Sequence, residues 1–235
     1  MFKKLKYVLF KRAYQIFGRN SFSQAGEDMI IDFLLIGVGI KSPLYLELGV
    51  FHPRNGSNTY KFYVKGGRGV LVEADRSLIP AIKIERPLDK VLHLGVTFND
   101  EKTATFYVFD EPSVSSFDKE EAKRRNAMGV HKLIREEQVV LKNLNQILDE
   151  DCSGLPHILS IDIEGLDYQV LKSWDEVLFP IPIVCAETCS YSNDHIKEKD
   201  QAILDLMETK GYFVYGDTYI NTIFVHKAWF QSQKK

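Results

Sequence analysis

The sequence predicts an α/β fold: an open, doubly wound, mostly parallel sheet that ends in an antiparallel hairpin. Short runs that are apolar throughout, such as Gly69-Val70-Leu71-Val72 before Glu73, belong to strands buried on both faces, as in a parallel sheet covered by helices. Helical stretches fall between several of these runs, the alternation that winds a sheet by crossovers. The last two strand runs, Tyr212–Tyr215 and Thr222–His226, are joined by a short Gly/Asp/Asn-containing turn. That turn is too short for a crossover helix, so the two must pair antiparallel.

At the N-terminus, residues 1–26 hold Lys3, Lys4, Lys6, Lys11, Arg12 and Arg19 and no acid before Glu27. Phe2, Leu5, Leu9, Ala13 and Ile16 recur at gaps of three or four, which predicts a basic amphipathic helix over residues 1–22. Its apolar run, Tyr7 to Phe10, falls far short of the ~7–15 residues of a signal-peptide core or the ~18 of a membrane span. Residues 1–20 are therefore read as docking to an anionic membrane face or a partner groove, or more plainly as a helix packed on its own domain. Residues 23–235 are expected to form one domain, the length suiting a single core.

Ser21 and Gln24 have capping-box spacing, and Met29, Ile30, Phe33 and Leu34 share a face, predicting a helix over Gln24–Ile36. A strand at Tyr45–Val50 leads through a Gly/Pro/Asn loop into a helical Ser57–Val64, and the strand Gly69–Glu73 into a helical Ser77–Arg86. Further strands are expected at Lys90–Val96, Thr103–Phe109, Ile158–Ile163 and Ile181–Ala186, and helices at Lys142–Glu150, Leu166–Trp174 and Lys197–Lys210. Residues 112–137 are charged and lack a clean period; they are expected to be an inserted, mobile connection of the kind that acts as a lid.

Composition narrows the function. Thirty Lys and Arg against 32 Asp and Glu leave a net charge of -2, no electrostatic footprint for nucleic acid. Cys152, Cys185 and Cys189 are an odd number in a chain long enough to do without covalent staples, which points to a reducing, cytoplasmic setting. Cys185 and Cys189 stand four apart but do not complete a tetrahedral zinc set.

Ligands of open α/β sheets bind outside the carboxyl ends of the strands. The first such end offers Glu47, Gly49 and the loop Phe51-His52-Pro53-Arg54-Asn55-Gly56, with Asn58 where a helix starts. Gly49 permits close backbone approach to a ligand. The second end offers Glu73 and Asp75, with Glu73 close to the ~20-residue offset at which an acid accepts ribose hydroxyls. A dinucleotide would want Gly-x-Gly-x-x-Gly, which this loop lacks. S-adenosylmethionine, with no phosphates, needs acids for its amine and ribose and one close-approach glycine, which Glu47, Glu73 and Gly49 supply. At the next ends, period-2 alternation aims Asp162 and Glu164 to one side, and Glu187 is a third acid. Such carboxylates are costly unless they hold a ligand, a proton or a cation such as Mg²⁺ or Mn²⁺.

Four motifs give the chain a family resemblance: Ser23-Gln24-Ala25-Gly26-Glu27-Asp28; Glu47-Leu48-Gly49-Val50 with Ser57-Asn58-Thr59; Gly69-Val70-Leu71-Val72-Glu73-Ala74-Asp75; and Ile161-Asp162-Ile163-Glu164-Gly165 with Val170-Leu171. In this order they resemble the FkbM-type methyltransferases. The resemblance implies a Rossmann-like class I methyltransferase fold, S-adenosylmethionine as cofactor, and oxygen methylation, often of a sugar hydroxyl in a polysaccharide or natural product. It places Glu47 and Gly49 on the cofactor loop, Glu73 at the ribose, and Asp162 and Glu164 facing the cofactor and a small-molecule or glycan acceptor; Asn58, Asp75 and Val96 are further expected cofactor contacts. Asp162 is the first choice of base, Glu164 its metal or acceptor partner, and His52 a weaker alternative. Candidate metal ligands are Asp162, Glu164 and Glu187. The competing readings are a nucleotide-sugar enzyme using NAD and a non-catalytic scaffold with the same fold.

Overall fold

The computed structural model describes residues 20–163, 165–190 and 198–233. Seven strands form the main sheet: β1 (Leu44–Leu48), β2 (Arg68–Glu73), β3 (Lys90–His93), β7 (Ile158–Ile161), β8 (Ile183–Glu187), β11 (Tyr212–Asp217) and β12 (Asn221–His226), in the order β11-β12-β8-β7-β1-β2-β3, while β9 (Cys189–Ser190) and β10 (Glu198–Lys199) pair with each other. β3, β2, β1, β7 and β8 run parallel, while β12 is antiparallel to β8 and β11 to β12, so the expected terminal hairpin is present. The chain enters at β1, winds outward to β3, and returns to the other flank of β1 at β7. The order therefore reverses between β1 and β7, and the crevice lies over their carboxyl ends.

Each face of the sheet carries a core because its central strands are apolar at most positions on both faces. Leu46, Leu48, Val70, Val72, Leu159, Ile161 and Val184 pack beneath α5 (Leu144–Glu150), α6 (Asp167–Ser173) and α7 (Gln201–Thr209), through Leu144, Ile147, Val170, Leu171, Ile203 and Met207. Tyr45, Leu71, Ile158, Ile183 and Cys185 point the other way, against Ile31, Leu34 and Leu35 of α1 (Glu27–Gly37), Phe62 of α2 (Tyr60–Val64) and Ile82 of α3 (Ile79–Glu85).

Several expectations need correction. Lys90–Val96 is not one strand: β3 ends at His93, and β4 (Gly95–Thr97) joins β5 (Thr103–Phe109) and β6 (Leu133–Asn143) in a separate three-stranded sheet, order β4-β6-β5. The crossing is close at Gly95, where a Cβ would stand 2.4 Å from Phe117 Cζ and 2.7 Å from Leu141 Cδ2. Residues 112–137 are not a structureless connection. They form a 3-10 turn (Pro112–Val114), the helix α4 (Lys119–Met128), which Asp118 caps by accepting from the Glu120 and Glu121 amides, and the first half of β6. That half strand pairs antiparallel with β5, and its period is hidden because Arg135 and Glu137 occupy inward positions ahead of Val139 and Leu141.

The helix expected from Gln24 begins at Glu27, and Gln24 makes no capping box. Gly26 takes a left-handed turn, φ 99°, while Ser23 Oγ accepts from the Gly26 and Asp28 amides and Asp28 in turn accepts from Ser21, Phe22 and Ser23. β7 stops at Ile161, so strand alternation does not govern Asp162, and Glu164 lies outside the described residues. The basic stretch of residues 1–19 also lies outside them. Among the described residues no helix is long and apolar enough to cross a membrane. All three cysteines are free thiols.

Candidate active site

At the carboxyl end of β1 the chain turns away through a left-handed glycine. Gly49 has φ 79°, and a Cβ there would stand 1.9 Å from the Asp162 carbonyl oxygen. Its close approach is thus to the neighbouring β7 backbone, where the Asp162 amide also donates to Leu48 O at 3.1 Å. Gly49 thereby holds the ends of β1 and β7 together at the switch point, which the sequence reading had assigned to ligand contact.

Glu47 is buried and fully engaged. Its carboxylate accepts from Ser57 Oγ (3.0 Å), Thr59 Oγ1 (2.6 Å) and Arg86 NH1 (2.9 Å), and Arg86, fully buried, also pairs with Asp89 at 2.7 Å. Rather than standing free for a substrate amine, Glu47 fixes the loop that carries Ser57, Asn58 and Thr59. Asn58 Nδ2 donates to Ser160 Oγ at 3.1 Å, while Asn58 Oδ1 is buried with no hydrogen-bond partner.

Glu73 closes β2 and accepts from the Phe51 amide (2.9 Å) and the Asp75 amide (2.7 Å). Burial pushes its carboxyl up despite these donors. It also holds Phe51 in a left-handed conformation, φ 49°, that a bulky residue keeps only when its surroundings impose it. Asp75 Oδ1 takes Ser77 N, Ser77 Oγ and Arg135 NH2, leaving Oδ2 buried with no partner. Val96 lies in β4 with its side chain in the core.

Asp162 is exposed on the crevice, and Glu187 ends β8 on the same sheet edge. Among the described residues no group of three His, Cys, Asp or Glu side chains could hold a metal ion. His52 Nδ1 accepts from the Arg54 and Asn55 amides, so one ring nitrogen is committed to the loop. A cavity of about 430 Å³ opens at the opposite, amino-terminal sheet edge beside His157, Pro182, His226 and Trp229, away from these acids.

Sequence reasoning passed over Asp167. This first residue of α6 is buried, accepts from the Ile163 amide at 3.3 Å, and has its carboxyl pushed up to about 7 by burial and the nearby Asp162 charge. An acid opening a helix reads in sequence as an ordinary capping residue. Arg86 was likewise read as the last residue of a helix, and Glu27 only as part of a motif. Glu27 is buried at the far side of the edge, where it ties α1 to the terminal hairpin by accepting from Thr218 Oγ1 (2.7 Å) and Asn221 Nδ2 (3.0 Å).

The family model of the methyltransferase FkbM domain matches residues 47–214, from Glu47 at the crevice to the last strand pair. The chain belongs to the FkbM methyltransferase family. As an FkbM methyltransferase it uses S-adenosylmethionine. No curated protein matches it in sequence. Solved structures that overlay on it include a TehB-like SAM-dependent methyltransferase from Corynebacterium glutamicum, 12% identical, TM-score 0.45, covering 94% of this chain and 97% of that one. An O-methyltransferase from Bacillus cereus in complex with SAH is 15% identical, TM-score 0.42, with 94% and 89% covered. The family assignment rests on the sequence match and not on these overlays.

The residues of this FkbM chain fit the cofactor. S-adenosylmethionine presents donors along its length: an ammonium, two ribose hydroxyls and an adenine amino group. The crevice answers with acceptors, and buried polar atoms without partners call for an explanation of this kind. Asn58 Oδ1 lies by the β1–β7 crossing, Glu73 at the end of β2, and Asp75 Oδ2 beyond it.

Proposed function

We propose that this FkbM methyltransferase methylates a sugar hydroxyl of a small-molecule or glycan acceptor during glycan or natural-product assembly. The observation that supports it best is the exposed Asp162 at the switch point, its backbone fixed against Gly49, between the cofactor-side acceptors and Glu187. Bound there, S-adenosylmethionine supplies an electrophilic methyl group on a sulfonium.

The chain's own residues do the rest. Glu73 accepts the ribose hydroxyls, and Asn58 Oδ1 and Asp162 receive the methionine ammonium. Asp162 would also take the proton of the acceptor hydroxyl as that oxygen accepts the methyl group the bound cofactor would supply. Holding the reactants in line supplies much of the acceleration. Glu164 is the acceptor's second carboxylate, or with Asp162 and Glu187 a ligand of Mg²⁺ or Mn²⁺. His52 keeps only Nε2 for chemistry and is the second candidate for the proton-accepting role.

The test is methyl transfer from labelled S-adenosylmethionine to a panel of sugars and glycans. Asp162→Asn keeps the shape and removes the base, so turnover should fall by ~10²–10⁴ with the protein still folded. Loss of activity with chelator, restored by Mg²⁺, would assign the acids to a metal; near-parent turnover in Asp162→Asn would defeat both versions.

A further inference from the structure

We propose that Tyr219 is a stacking platform at the rim of the crevice for the sugar unit next to the one methylated, so that the acceptor is an oligosaccharide rather than a free sugar. The inference rests on the sugar-acceptor reading and goes beyond it by naming the acceptor's second contact.

The β11–β12 connection holds a residue in an unfavourable conformation. The Thr218 amide donates to Asn221 O at 3.0 Å, which leaves Tyr219 and Ile220 as a two-residue loop. Of these two only Tyr219 has a positive φ, 74°. A two-residue hairpin loop with positive φ at its first position ordinarily carries glycine there. A bulky residue in that conformation persists only where its surroundings over-determine it. Here they do: the Tyr219 amide donates to Asp217 Oδ1 at 2.6 Å, Tyr219 O accepts from Cys189 Sγ, and the Lys199 ammonium stands 5.6 Å from the ring centroid. The ring secured in this way is still 54% exposed, so burial does not explain the tyrosine.

The ring lies on the edge that carries the acids. Lys199 Nζ also donates at 2.9 Å to Oγ1 of Thr188, the residue after Glu187, and Asn221 pairs with Glu187 across β12 and β8. Ile161 stands level with Ala186, so Asp162, Glu187 and Asn221 follow one another over three neighbouring strand ends. Two strand spacings put Asn221 about 10 Å from Asp162, more than one sugar ring covers. A sugar whose hydroxyl meets Asp162 therefore leaves Tyr219, two residues before Asn221, to the unit linked to it. Sugars suit such a surface: one face of the ring is largely C–H, and its weakly positive hydrogens lie well on the negative face of an aromatic ring.

Initial rates of the full chain with labelled S-adenosylmethionine test this, using methyl hexopyranosides and the disaccharides that contain them. The parent should show a KM about 3- to 10-fold lower for a disaccharide than for the corresponding single unit, the scale of one aromatic contact. Tyr219→Ala should remove that preference and Tyr219→Phe should keep it, while S-adenosylhomocysteine binds all three forms alike. Because glycine suits the turn, Tyr219→Gly should melt no lower than the parent and still lose the preference. A parent without the preference, its retention in Tyr219→Ala, or a Tyr219→Gly chain that melts lower and keeps it would overturn the platform and leave methylation of single sugars standing. Absence of transfer to any sugar, with S-adenosylhomocysteine still bound, would instead bring down the sugar-acceptor reading and the platform with it.

Discussion

Single residues at the crevice answer to two demands, the turn of the chain and the chemistry. Glu73 meets both, orienting Phe51 and Asp75 through their amides and offering its remaining lone pairs to a ribose. Glu73→Ala should weaken S-adenosylmethionine binding by about 1.5–3 kcal/mol, the range for a hydrogen bond to a charged group, read by calorimetry. An unchanged dissociation constant would remove Glu73 from the cofactor. Asp167 makes a different prediction. Its carboxyl is raised to about 7 in the folded chain, so the unfolded chain gives up this proton first as pH rises. Its contribution to stability is therefore lost between about pH 4 and pH 7 and stays lost above. Asp167→Asn should gain roughly 2.5–3 kcal/mol relative to the parent on going from pH 5 to pH 8, at about 1.4 kcal/mol per unit up to pH 7, in denaturant titrations at the two pH values. A gain independent of pH would mean that Asp167 is not held neutral.

Elements explain where the sequence could be read and where it could not. Strands buried on both faces announce themselves as unbroken apolar runs, and β2, β5 and the terminal hairpin lie within a few residues of expectation. β6 was invisible because its inward positions are partly ionic, Arg135 pairing with Glu137 in the strand itself and with Asp75 once folding brings that acid near. The acids at the strand ends were legible from their place after apolar runs. Their occupancy was not, since Glu47 meets Arg86 only through the return of α3 to the end of β1. That network makes an element-scale prediction. Arg86 links α3 to β1 and carries its charge with no exposure, so Arg86→Ala would leave Glu47 and Asp89 buried without their cation, held only by neutral donors. The expected cost is about 3–5 kcal/mol of unfolding free energy, seen in denaturant midpoints. A loss below 1 kcal/mol would show that water reaches the two acids.

At the scale of the whole molecule, charge is unevenly distributed along the chain. The acids gather at the carboxyl edge of the sheet, while residues 1–19 hold six Lys and Arg and no acid. A segment of that composition is drawn to anionic lipid by about 1 kcal/mol per basic residue near the surface, an attraction that fades beyond a Debye length. Among the described residues, Glu27, Glu47, Glu73, Asp75 and Asp162 are held by contacts within residues 21–221. Deleting residues 1–20 should accordingly leave the affinity for S-adenosylhomocysteine within about two-fold of the full chain. The same deletion should lower sedimentation with phosphatidylserine-containing vesicles at low salt, and raising the salt to several hundred millimolar should bring the two forms together, because screening removes the attraction. Equal vesicle binding by both forms at low salt would show that the basic segment is a helix packed on its own domain, and a collapse of cofactor affinity in the shortened chain would show that it belongs to the pocket.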